Sequence, residues 1–405
     1  MSNGFEWYAQ RRNAYQNRIR FIRQALGRAP FEQVTPEMNG PHFFGYGTNG
    51  LPVAIQMPTR NSLFIGEPGS GKTTAAANFI LNGLNGEKII AFDSIKHDYR
   101  HLIRYNPNTL VLSFELGTYK DNFLQPPPGL TDDEWDPIIT EIYSQPFKVP
   151  GGAGSEQYFY CCLKELKRLV HPRIPTTGDL LDFMKSKKEP TYSEKRRYSE
   201  RNMIRLSAIN EDIGRNINVS EGFPLDFIVD GDFDILVIEL SAKADMAALE
   251  SDTQIFKILK YRMKLSPARR QKGILFLVDE CKKQFGLHRD FGVRSTGNIS
   301  NLALMVSSAR EFSVGFIFSD QSVTSLHPIL FELCGTFALF KTNADTTFRM
   351  GRIIGLSNEQ ILWLTEDHGL EVGQCVLKTG NFPPMLVNIP SFIYEKDVTD
   401  EEIRF

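Results

Sequence analysis

The feature that most constrains the fold of this chain is a glycine-rich stretch between a short apolar run and an alanine-rich segment. Residues 64–79 read FIGEPGSGKTTAAANF, and the run NSLFI at 61–65 leads into them. The apolar run predicts a buried strand, and the alanines with spaced apolar side chains predict a helix that ends near Gly83. A strand, a loop of the pattern G-x-x-x-x-G-K-T and a helix, in this order, are typical of a nucleotide-phosphate site.

Each position of this loop has an expected role in holding a nucleoside triphosphate. The glycines let backbone N–H groups turn towards phosphate oxygens at the positive end of the following helix. Lys72 is expected to reach the β- and γ-phosphates, and the hydroxyl of Thr73 is expected to hold Mg²⁺. The alternative is a strand-to-helix turn that is merely rich in glycine. The expected ATP-binding set is Gly66, Glu67, Pro68, Gly69, Ser70, Gly71, Lys72, Thr73 and Thr74.

Two further apolar runs end in polar side chains that suit catalysis. The run GILFLVDE at 273–280 predicts a buried parallel strand whose carboxyl end lies at the ligand-binding edge. There Asp279 is expected to hold Mg²⁺ through water, and Glu280 to orient and deprotonate an attacking water. The run SVGFIFSDQ at 313–321 ends in Gln321, which is expected near the γ-phosphate as a sensor of its presence. For both runs, an ordinary polar strand end is the alternative.

The other apolar runs predict the rest of the fold. They are KIIAFD (88–93), TLVLSF (109–114), DILVIEL (234–240) and TFALFKT (336–342), and helical stretches separate them. This rhythm favours an α/β fold with a mainly parallel central sheet and helices on both faces. The predicted organisation is a basic helical segment at 1–42, a nucleotide-binding core at 43–125 and 231–395, a mainly helical insertion at 126–230 and a tail at 396–405.

Composition sets the broad class and limits the partners. The chain has 405 residues, of which 41% are hydrophobic and 23% charged, which is incompatible with disorder as a global description. Its formal net charge is −2, so contacts with nucleic acid would have to come from local basic patches. The cysteines contain no C-x-x-C pair and the histidines no zinc spacing, and no signal peptide or long apolar run is present. These features predict a soluble, cytoplasmic protein with no membrane segment and no metal besides Mg²⁺.

With these motifs in order, the chain resembles the HerA/FtsK superfamily of ring-forming, DNA-pumping ATPases, which includes HerA helicases and conjugative coupling and secretion ATPases. The resemblance extends over residues 43–392. It rests on GEPGSGKT (66–73), FDSIKHDY (92–99), LFLVDE (275–280) and SSAREFSVGFIFSDQ (307–321). It implies a RecA-like P-loop NTPase fold, ATP and Mg²⁺ as cofactors, and a hexameric ring that threads double-stranded DNA.

The resemblance also implies that an arginine from the neighbouring subunit stabilises charge on the transferred phosphoryl group. Arg310 matches the family's arginine in position, and Arg349 and Arg352 are its rivals. Lys96 and Asp98 follow a strand expected beside the phosphate-loop strand. We expect them either near the active site or in a salt bridge that ties the loop in place.

Three segments are candidates for contacts with DNA or partners. In a ring, a loop that leaves the catalytic edge can project into the channel, so Arg289, Arg294 and Lys283 are candidate contacts to DNA phosphates. The basic stretch at 185–202 could touch phosphates or be a solvated face. A basic amphipathic helix is predicted at 7–28, where it could bind the next subunit, a partner or DNA, or cap its own domain.

The sequence therefore predicts a ring-forming, hexameric ATPase that couples ATP hydrolysis to translocation on double-stranded DNA. A nuclease or another effector is the expected partner, in DNA processing or antiviral defence. One alternative is an ATP-gated assembly scaffold for an effector, which the near-neutral charge favours. Another is a soluble conjugation or secretion ATPase. A small-molecule kinase is the least supported, because Glu280 beside Asp279 suits water activation better than a substrate pocket.

Overall fold

A computed structural model of the chain describes residues 30–37, 42–55, 61–83, 86–93, 97–144, 152–190, 193–270, 272–286, 301–367, 369–390 and 398–403. Within these ranges the chain forms a sheet of 11 strands. The strands are β1 (His42–Gly47), β2 (Pro52–Ile55), β3 (Asn61–Ile65), β4 (Lys88–Asp93), β5 (Thr109–Ser113), β6 (Ile235–Glu239), β7 (Ile274–Val278), β8 (Val314–Asp320), β9 (Cys334–Phe340), β10 (Gln374–Thr379) and β11 (Met385–Asn388).

The sheet is mainly parallel. Its strand order is β2-β1-β11-β10-β9-β3-β8-β7-β4-β6-β5. The strands from β9 to β5 in this order pair in parallel, whereas β10, β11, β1 and β2 extend the sheet through antiparallel pairs. Every residue of β4, β6, β7 and β8 is buried, as expected for strands that are covered on both faces. The predicted α/β fold with a mainly parallel sheet is confirmed.

Helices cover the sheet and fill the segment between β5 and β6. They are α1 (Lys72–Gly83), α2 (Asp132–Ser144), α3 (Gly152–Val170), α4 (Thr177–Ser186), α5 (Glu194–Ile217), α6 (Leu225–Asp230), α7 (Ala244–Lys264), α8 (Lys282–Phe285), α9 (Asn301–Ser308), α10 (Ile329–Leu333), α11 (Ala344–Ile353) and α12 (Asn358–Leu362). Helices α2 to α6 lie between β5 and β6, which confirms the largely helical character predicted for this part of the chain.

The two faces of the sheet belong to two separate apolar clusters. On β3, Leu63 and Ile65 pack in one cluster and Phe64 in the other, because successive side chains of a strand point to opposite faces. Helix α1 contributes Phe79 to the cluster that contains Phe64, and α7 contributes Leu249 to the opposite one. Helices thus contribute to the apolar cluster on each face of the sheet. No helix of the described ranges is both long and apolar enough to cross a membrane.

One expectation about strand order is wrong. The sequence places β4, which ends in Asp93, beside the phosphate-loop strand β3, but β3 pairs with β8 and β9. Strand β4 pairs with β7 and β6 instead, so β8 and β7 separate it from β3. An apolar run predicts that a strand is buried, but the choice of neighbour depends on how the crossover helices pack. Because the carboxyl ends of all these parallel strands lie along one edge, the loop after β4 still reaches the same cleft.

The antiparallel part of the sheet is absent from the sequence-based prediction, although it positions the site. Strands β10 and β11 pair with each other, and β10 also pairs with β9. The turn before β10 contacts the phosphate loop, where the N–H of Gly373 donates to the carbonyl of Ser70 at 3.1 Å. The predicted helix at 7–28, together with Lys96, Arg289 and Arg294, lies outside the described residues.

Candidate functional site

The phosphate loop joins β3 to α1 at the carboxyl edge of the parallel strands. Its first residues are tied to the neighbouring strand ends on both sides. The N–H of Gly66 donates to the carbonyl of Asp320 at 3.2 Å, and the N–H of Glu67 donates to the carbonyl of Lys341 at 2.8 Å. The loop is thus anchored to the end of β8 and to the residue that follows β9. The sheet therefore determines where the loop begins and which way it curves.

Two glycines of this loop adopt a backbone conformation that side chains disfavour. Gly69 has φ +77° and Gly71 has φ +106°. A residue with a Cβ loses about 1–2 kcal/mol in left-handed conformations of this kind. A Cβ at Gly71 would also approach the backbone of Gly373 to 3.2 Å. These two glycines are therefore required by the path of the chain, as the motif predicts.

A cleft of about 370 Å³ opens beside the loop and gathers most of the predicted site. From the phosphate loop it is lined by Pro68, Gly69, Gly71, Lys72, Thr73 and Thr74. From the ends of β7 and β8 it is lined by Asp279, Glu280 and Gln321. Residues that are 200 to 250 positions apart in the sequence thus meet at one edge of the sheet. Asp98 lines the cleft as well, as the sequence allows.

Lys72 and Ser70 give the loop the chemistry of an anion site. The side chain of Lys72 is 9% exposed, and its Nζ donates to the carbonyls of Gly66 at 2.6 Å and Glu67 at 3.0 Å. The ammonium group is therefore held inside the curve of the loop. The hydroxyl of Ser70 is buried and has no hydrogen-bond partner among the described residues. A buried hydroxyl in this state costs about 1–3 kcal/mol. A phosphate oxygen in the loop would satisfy it.

Asp279 and Glu280 follow β7 directly. Asp279 is half-buried and lines the cleft. Desolvation raises its pKa, although hydrogen bonds from Ser319 and from the N–H of Glu280 at 3.0 Å oppose this effect. A nearby divalent cation would restore the charged carboxylate. Together with the hydroxyl of Thr73, Asp279 forms the kind of oxygen donor set that Mg²⁺ prefers. The residues present therefore fit the expected metal.

Asp320 and Asp93 belong to this edge, but neither is among the predicted site residues. Asp320 accepts hydrogen bonds from the N–H groups of Lys282 and Gln321, each at 2.7 Å, and so ties the end of β8 to the segment after β7. Burial raises the pKa of Asp320. Burial also raises the pKa of Asp93 to about 7, against a hydrogen bond from the N–H of Tyr99 at 2.8 Å. Both aspartates close apolar runs, as Asp279 does, so the same signal could have found them.

Two other residues of the cleft have no comparable sequence signal. His101 lies in the short helical turn Arg100–Arg104 after β4, and Val372 lies in the turn before β10. Val372 is 69% exposed and about 300 positions from the phosphate loop. Only the antiparallel pairing of β10 brings it to the cleft.

The structure does not bring the candidate arginines into the cleft of their own chain. Arg310 is exposed in the short helical turn Ala309–Phe312, which precedes β8, whereas Gln321 follows the other end of that strand. Arg349 and Arg352 lie exposed on α11. Arg349 pairs with Asp345 at 3.1 Å, and Arg352 donates to Asn358 Oδ1 at 2.9 Å.

Lys283 is not exposed, as a contact with DNA phosphates would require. The sequence places it in a polar loop, but it is part of α8, and its side chain is 7% exposed. Its Nζ lies 2.9 Å from Glu280 Oε2. The reason is local: α8 is a single turn directly after β7 that packs against α7, where Gln284 Nε2 donates to Ser251 Oγ at 2.6 Å. Lys283 therefore faces Glu280 rather than solvent.

Comparison with known proteins identifies the fold. No family model and no curated protein match the chain. Among solved structures, VirB4 of Thermoanaerobacter pseudethanolicus matches with a TM-score of 0.68 and 15% identity, over 90% of this chain and 100% of the VirB4 chain. The bacterial conjugative coupling protein TrwBdeltaN70 in its unbound form matches with a TM-score of 0.65 and 13% identity, over 91% and 96% of the two chains.

A complex of the plasmid coupling protein TrwB with ADP and Mg²⁺ matches with a TM-score of 0.64 and 13% identity, over 91% of this chain and 97% of TrwB. At such identities the likeness shows the fold. It is the P-loop ATPase fold that the resemblance to the HerA/FtsK superfamily implies.

Proposed function

We propose that this chain is an ATPase that binds ATP with Mg²⁺ in the cleft beside the phosphate loop and hydrolyses it. The observation that carries the proposal is the meeting of Lys72, Thr73, Asp279 and Glu280 in one cleft. ATP hydrolysis needs a cation for the phosphates, oxygen ligands for the metal and a base for the attacking water, and these residues supply all three. They come from two distant segments of the chain. TrwB, whose fold this chain shares, has been solved with ADP and Mg²⁺ and with a non-hydrolysable ATP analogue.

Binding would use the backbone first. The first N–H groups of α1 have no partner inside the helix and carry its positive end, so they suit phosphate oxygens. The ammonium group of Lys72 would release the carbonyls of Gly66 and Glu67 and donate to oxygens of the β- and γ-phosphates instead. Thr73 would hold the metal directly and Asp279 through water. When bound, Mg²⁺ would neutralise part of the phosphate charge.

Hydrolysis would use Glu280 as the proton acceptor. A water oxygen forms a bond to the γ-phosphorus while the bond between that phosphorus and the β–γ bridging oxygen breaks. The water proton passes to the Glu280 carboxylate, and the products are ADP and inorganic phosphate. Gln321 would contact the γ-phosphate from the end of β8 and report its loss to the following loop.

We further propose that the chain assembles into a hexameric ring, translocates on double-stranded DNA and serves a nuclease or another effector in DNA processing or antiviral defence. The exposed position of Arg310, away from its own cleft, supports the ring, because it leaves the guanidinium available to a neighbouring copy. There it would stabilise charge on the phosphoryl group of the adjacent subunit.

The test is steady-state ATP hydrolysis with and without linear duplex DNA, at low and moderate salt, with Glu280→Gln as the blank. We expect hydrolysis that duplex DNA stimulates without sequence preference and that salt weakens, since phosphate contacts release counterions. Hydrolysis no faster than the blank would reject the ATPase. Hydrolysis indifferent to DNA would reject the translocase and leave the ATP-gated scaffold, which the net charge of −2 favours.

Mixing experiments test Arg310. Arg310→Ala and Lys72→Ala subunits are inactive alone if both residues are essential, yet mixed rings contain some sites with an intact cleft and an intact neighbouring arginine. We expect such mixtures to recover part of the activity. The matched comparison uses Arg349→Ala in place of Arg310→Ala. Failure of the Arg310→Ala mixture to recover would contradict a role across the interface.

A further inference from the structure

The carboxylate of Glu280 is held by a second residue of the same segment. Lys283 Nζ lies 2.9 Å from Glu280 Oε2, and the two side chains are 7% and 21% exposed. The two residues are three positions apart, with Glu280 before α8 and Lys283 within it. A charge-assisted contact of this length between largely enclosed side chains is stronger than a surface ion pair, since little solvent screens it. The contact therefore restricts the rotamer of Glu280.

The backbone of this segment is held just as firmly. Glu280 has φ +51°, a conformation that costs a side-chain-bearing residue free energy and persists only where its surroundings impose it. The N–H of Lys283 donates to the carbonyl of Glu280 at 3.0 Å. The N–H of Cys281 donates to the carbonyl of Ser319 at 2.9 Å, and that of Lys282 donates to Asp320 Oδ2 at 2.7 Å. The segment that follows Glu280 is thus anchored to the end of β8 through its backbone, and the Glu280 side chain is paired with Lys283 of α8.

The surroundings explain why a cation is needed here. Asp279 precedes Glu280, and Asp320 lies at the neighbouring strand end, so three carboxyl groups share one edge of the cleft. Where these carboxyl groups are ionised, their like charges disfavour one another, which favours rotamers of Glu280 that turn away from the other two. The Lys283 ammonium attracts one oxygen of Glu280 and counters that repulsion. Because the carboxylate is rigid, fixing Oε2 also fixes the direction of the other oxygen, Oε1.

We infer that Lys283 is a positioning residue that holds Glu280 in the orientation from which it accepts the proton of the attacking water. The inference rests on the proposed ATP hydrolysis and deepens it by naming the group that orients the base. In this role Lys283 acts through Glu280. A misplacement of a reacting group by about 1 Å costs on the order of 100-fold in rate, so a residue with this duty affects kcat rather than substrate binding.

The experiment compares Lys283→Met with the wild type in steady-state ATP hydrolysis. We expect kcat to fall about 10- to 100-fold. The KM for ATP and the affinity for a non-hydrolysable ATP analogue should change less than about twofold, because the residues that bind ATP in the ground state are unchanged. Lys283→Arg keeps the charge and should recover most of the loss. The matched control is Lys264→Met, since Lys264 pairs with Glu134 at the same 2.9 Å on α7 but lies outside the cleft.

A second comparison separates positioning from a general structural role. In the Glu280→Gln background the base is already lost, so adding Lys283→Met should leave the residual single-turnover rate unchanged. Unchanged kcat in Lys283→Met, or an equal further loss in the Glu280→Gln background, would overturn the inference.

These outcomes are distinct from failure of the proposed function, which appears as a wild type no faster than Glu280→Gln. In that event a double-mutant cycle, with stability measured by thermal unfolding, decides whether Lys283 restrains Glu280. Coupling between Glu280→Gln and Lys283→Met supports the restraint, and its absence overturns it.

Discussion

The cleft edge and the helical region between β5 and β6, residues 114–230, both bury charged side chains, but they stabilise them differently. At the cleft, Asp93, Asp279 and Asp320 accept hydrogen bonds from backbone N–H groups, and burial raises the pKa of each. In the helical region, Lys167 Nζ lies 2.5 Å from both Asp132 and Asp136. The cleft aspartates therefore rely on backbone N–H groups, whereas a lysine pairs with the aspartates of the helical region.

The same contrast extends to the border of the helical region. Asp121 accepts from Lys257 Nζ at 2.8 Å, and the two side chains are 5% and 3% exposed. Gln254 donates to the same carboxylate at 2.8 Å. A group that is already paired has little to offer a ligand, whereas carboxylates held by backbone amides attract a cation. The difference indicates that the cleft is organised for binding and the helical region for stability.

The largest effect is expected at the cleft. Glu280→Gln should lower kcat by about 10²–10⁴-fold, because an amide cannot accept the proton of the attacking water. ATP should stay bound, since the phosphate loop is unchanged. The measurement is single-turnover hydrolysis together with retention of labelled ATP. The matched control is Glu332→Gln on α10, an exposed position at the opposite edge of the sheet. If Glu280→Gln turns over ATP at the wild-type rate, Glu280 is not the base and the proposed catalytic role of the cleft is contradicted.

The next largest effect is expected at the border of the helical region. Lys257→Met leaves the Asp121 carboxylate buried without its cation, which should lower the free energy of unfolding by about 3–5 kcal/mol. Urea unfolding measures the loss. Lys260→Met is the matched control on the same helix, at a partly exposed position, and should change stability by less than about 0.5 kcal/mol. Equal losses in both variants would show that the ion pair is not the cause.

A pH-dependent effect should distinguish the cleft aspartates from paired ones. Burial raises the pKa of Asp93 from 3.8 to about 7, so the folded state favours the protonated form. This contribution to stability is complete below about pH 4 and is lost as the pH rises to about 7. Asp93→Asn should therefore become more stable relative to the wild type across that window, by at most about 4 kcal/mol, and stay so above it.

Unfolding of the nucleotide-free protein in the presence of a chelator measures this difference. Asp232→Asn, at an exposed position of the opposite edge, is the control. An advantage of Asp93→Asn that grows as the pH falls would contradict the assignment, because it would require a lowered rather than a raised pKa in the folded protein.

The smallest effect is expected at a helix cap of the helical region. Thr176 accepts from the N–H of Asp179 at 3.2 Å, and Asp179 accepts from the N–H of Thr176 at 2.8 Å, which forms a capping box at the start of α4. Thr176→Ala should lower the free energy of unfolding by about 1 kcal/mol without changing kcat. Thr176→Ser keeps the acceptor and should stay near the wild type. A change in kcat would link this region to the cleft.

Much of the site could be predicted from short segments. The pattern at 66–73 specifies glycines, lysine and threonine in a loop between strand and helix, and these local requirements hold in the structure. Asp279, Glu280 and Gln321 each follow an apolar run, and the carboxyl ends of parallel strands share one edge. Asp320 and Asp93 escaped prediction although they follow the same rule. Strands β1, β2, β10 and β11 were not predicted, because short runs of four to six residues carry a weak apolar pattern.

The sequence by itself determined the parallel strands, the phosphate loop and the residues that end at the cleft, because burial and backbone conformation are local demands on residue type. Only the tertiary structure decided the strand order, which separates β4 from β3, and the contact of Gly373 with the loop. It also decided the pairing of Lys283 with Glu280 and the distance of Arg310 from its own cleft. These depend on packing between segments distant in the chain, and no local pattern encodes which surfaces will meet.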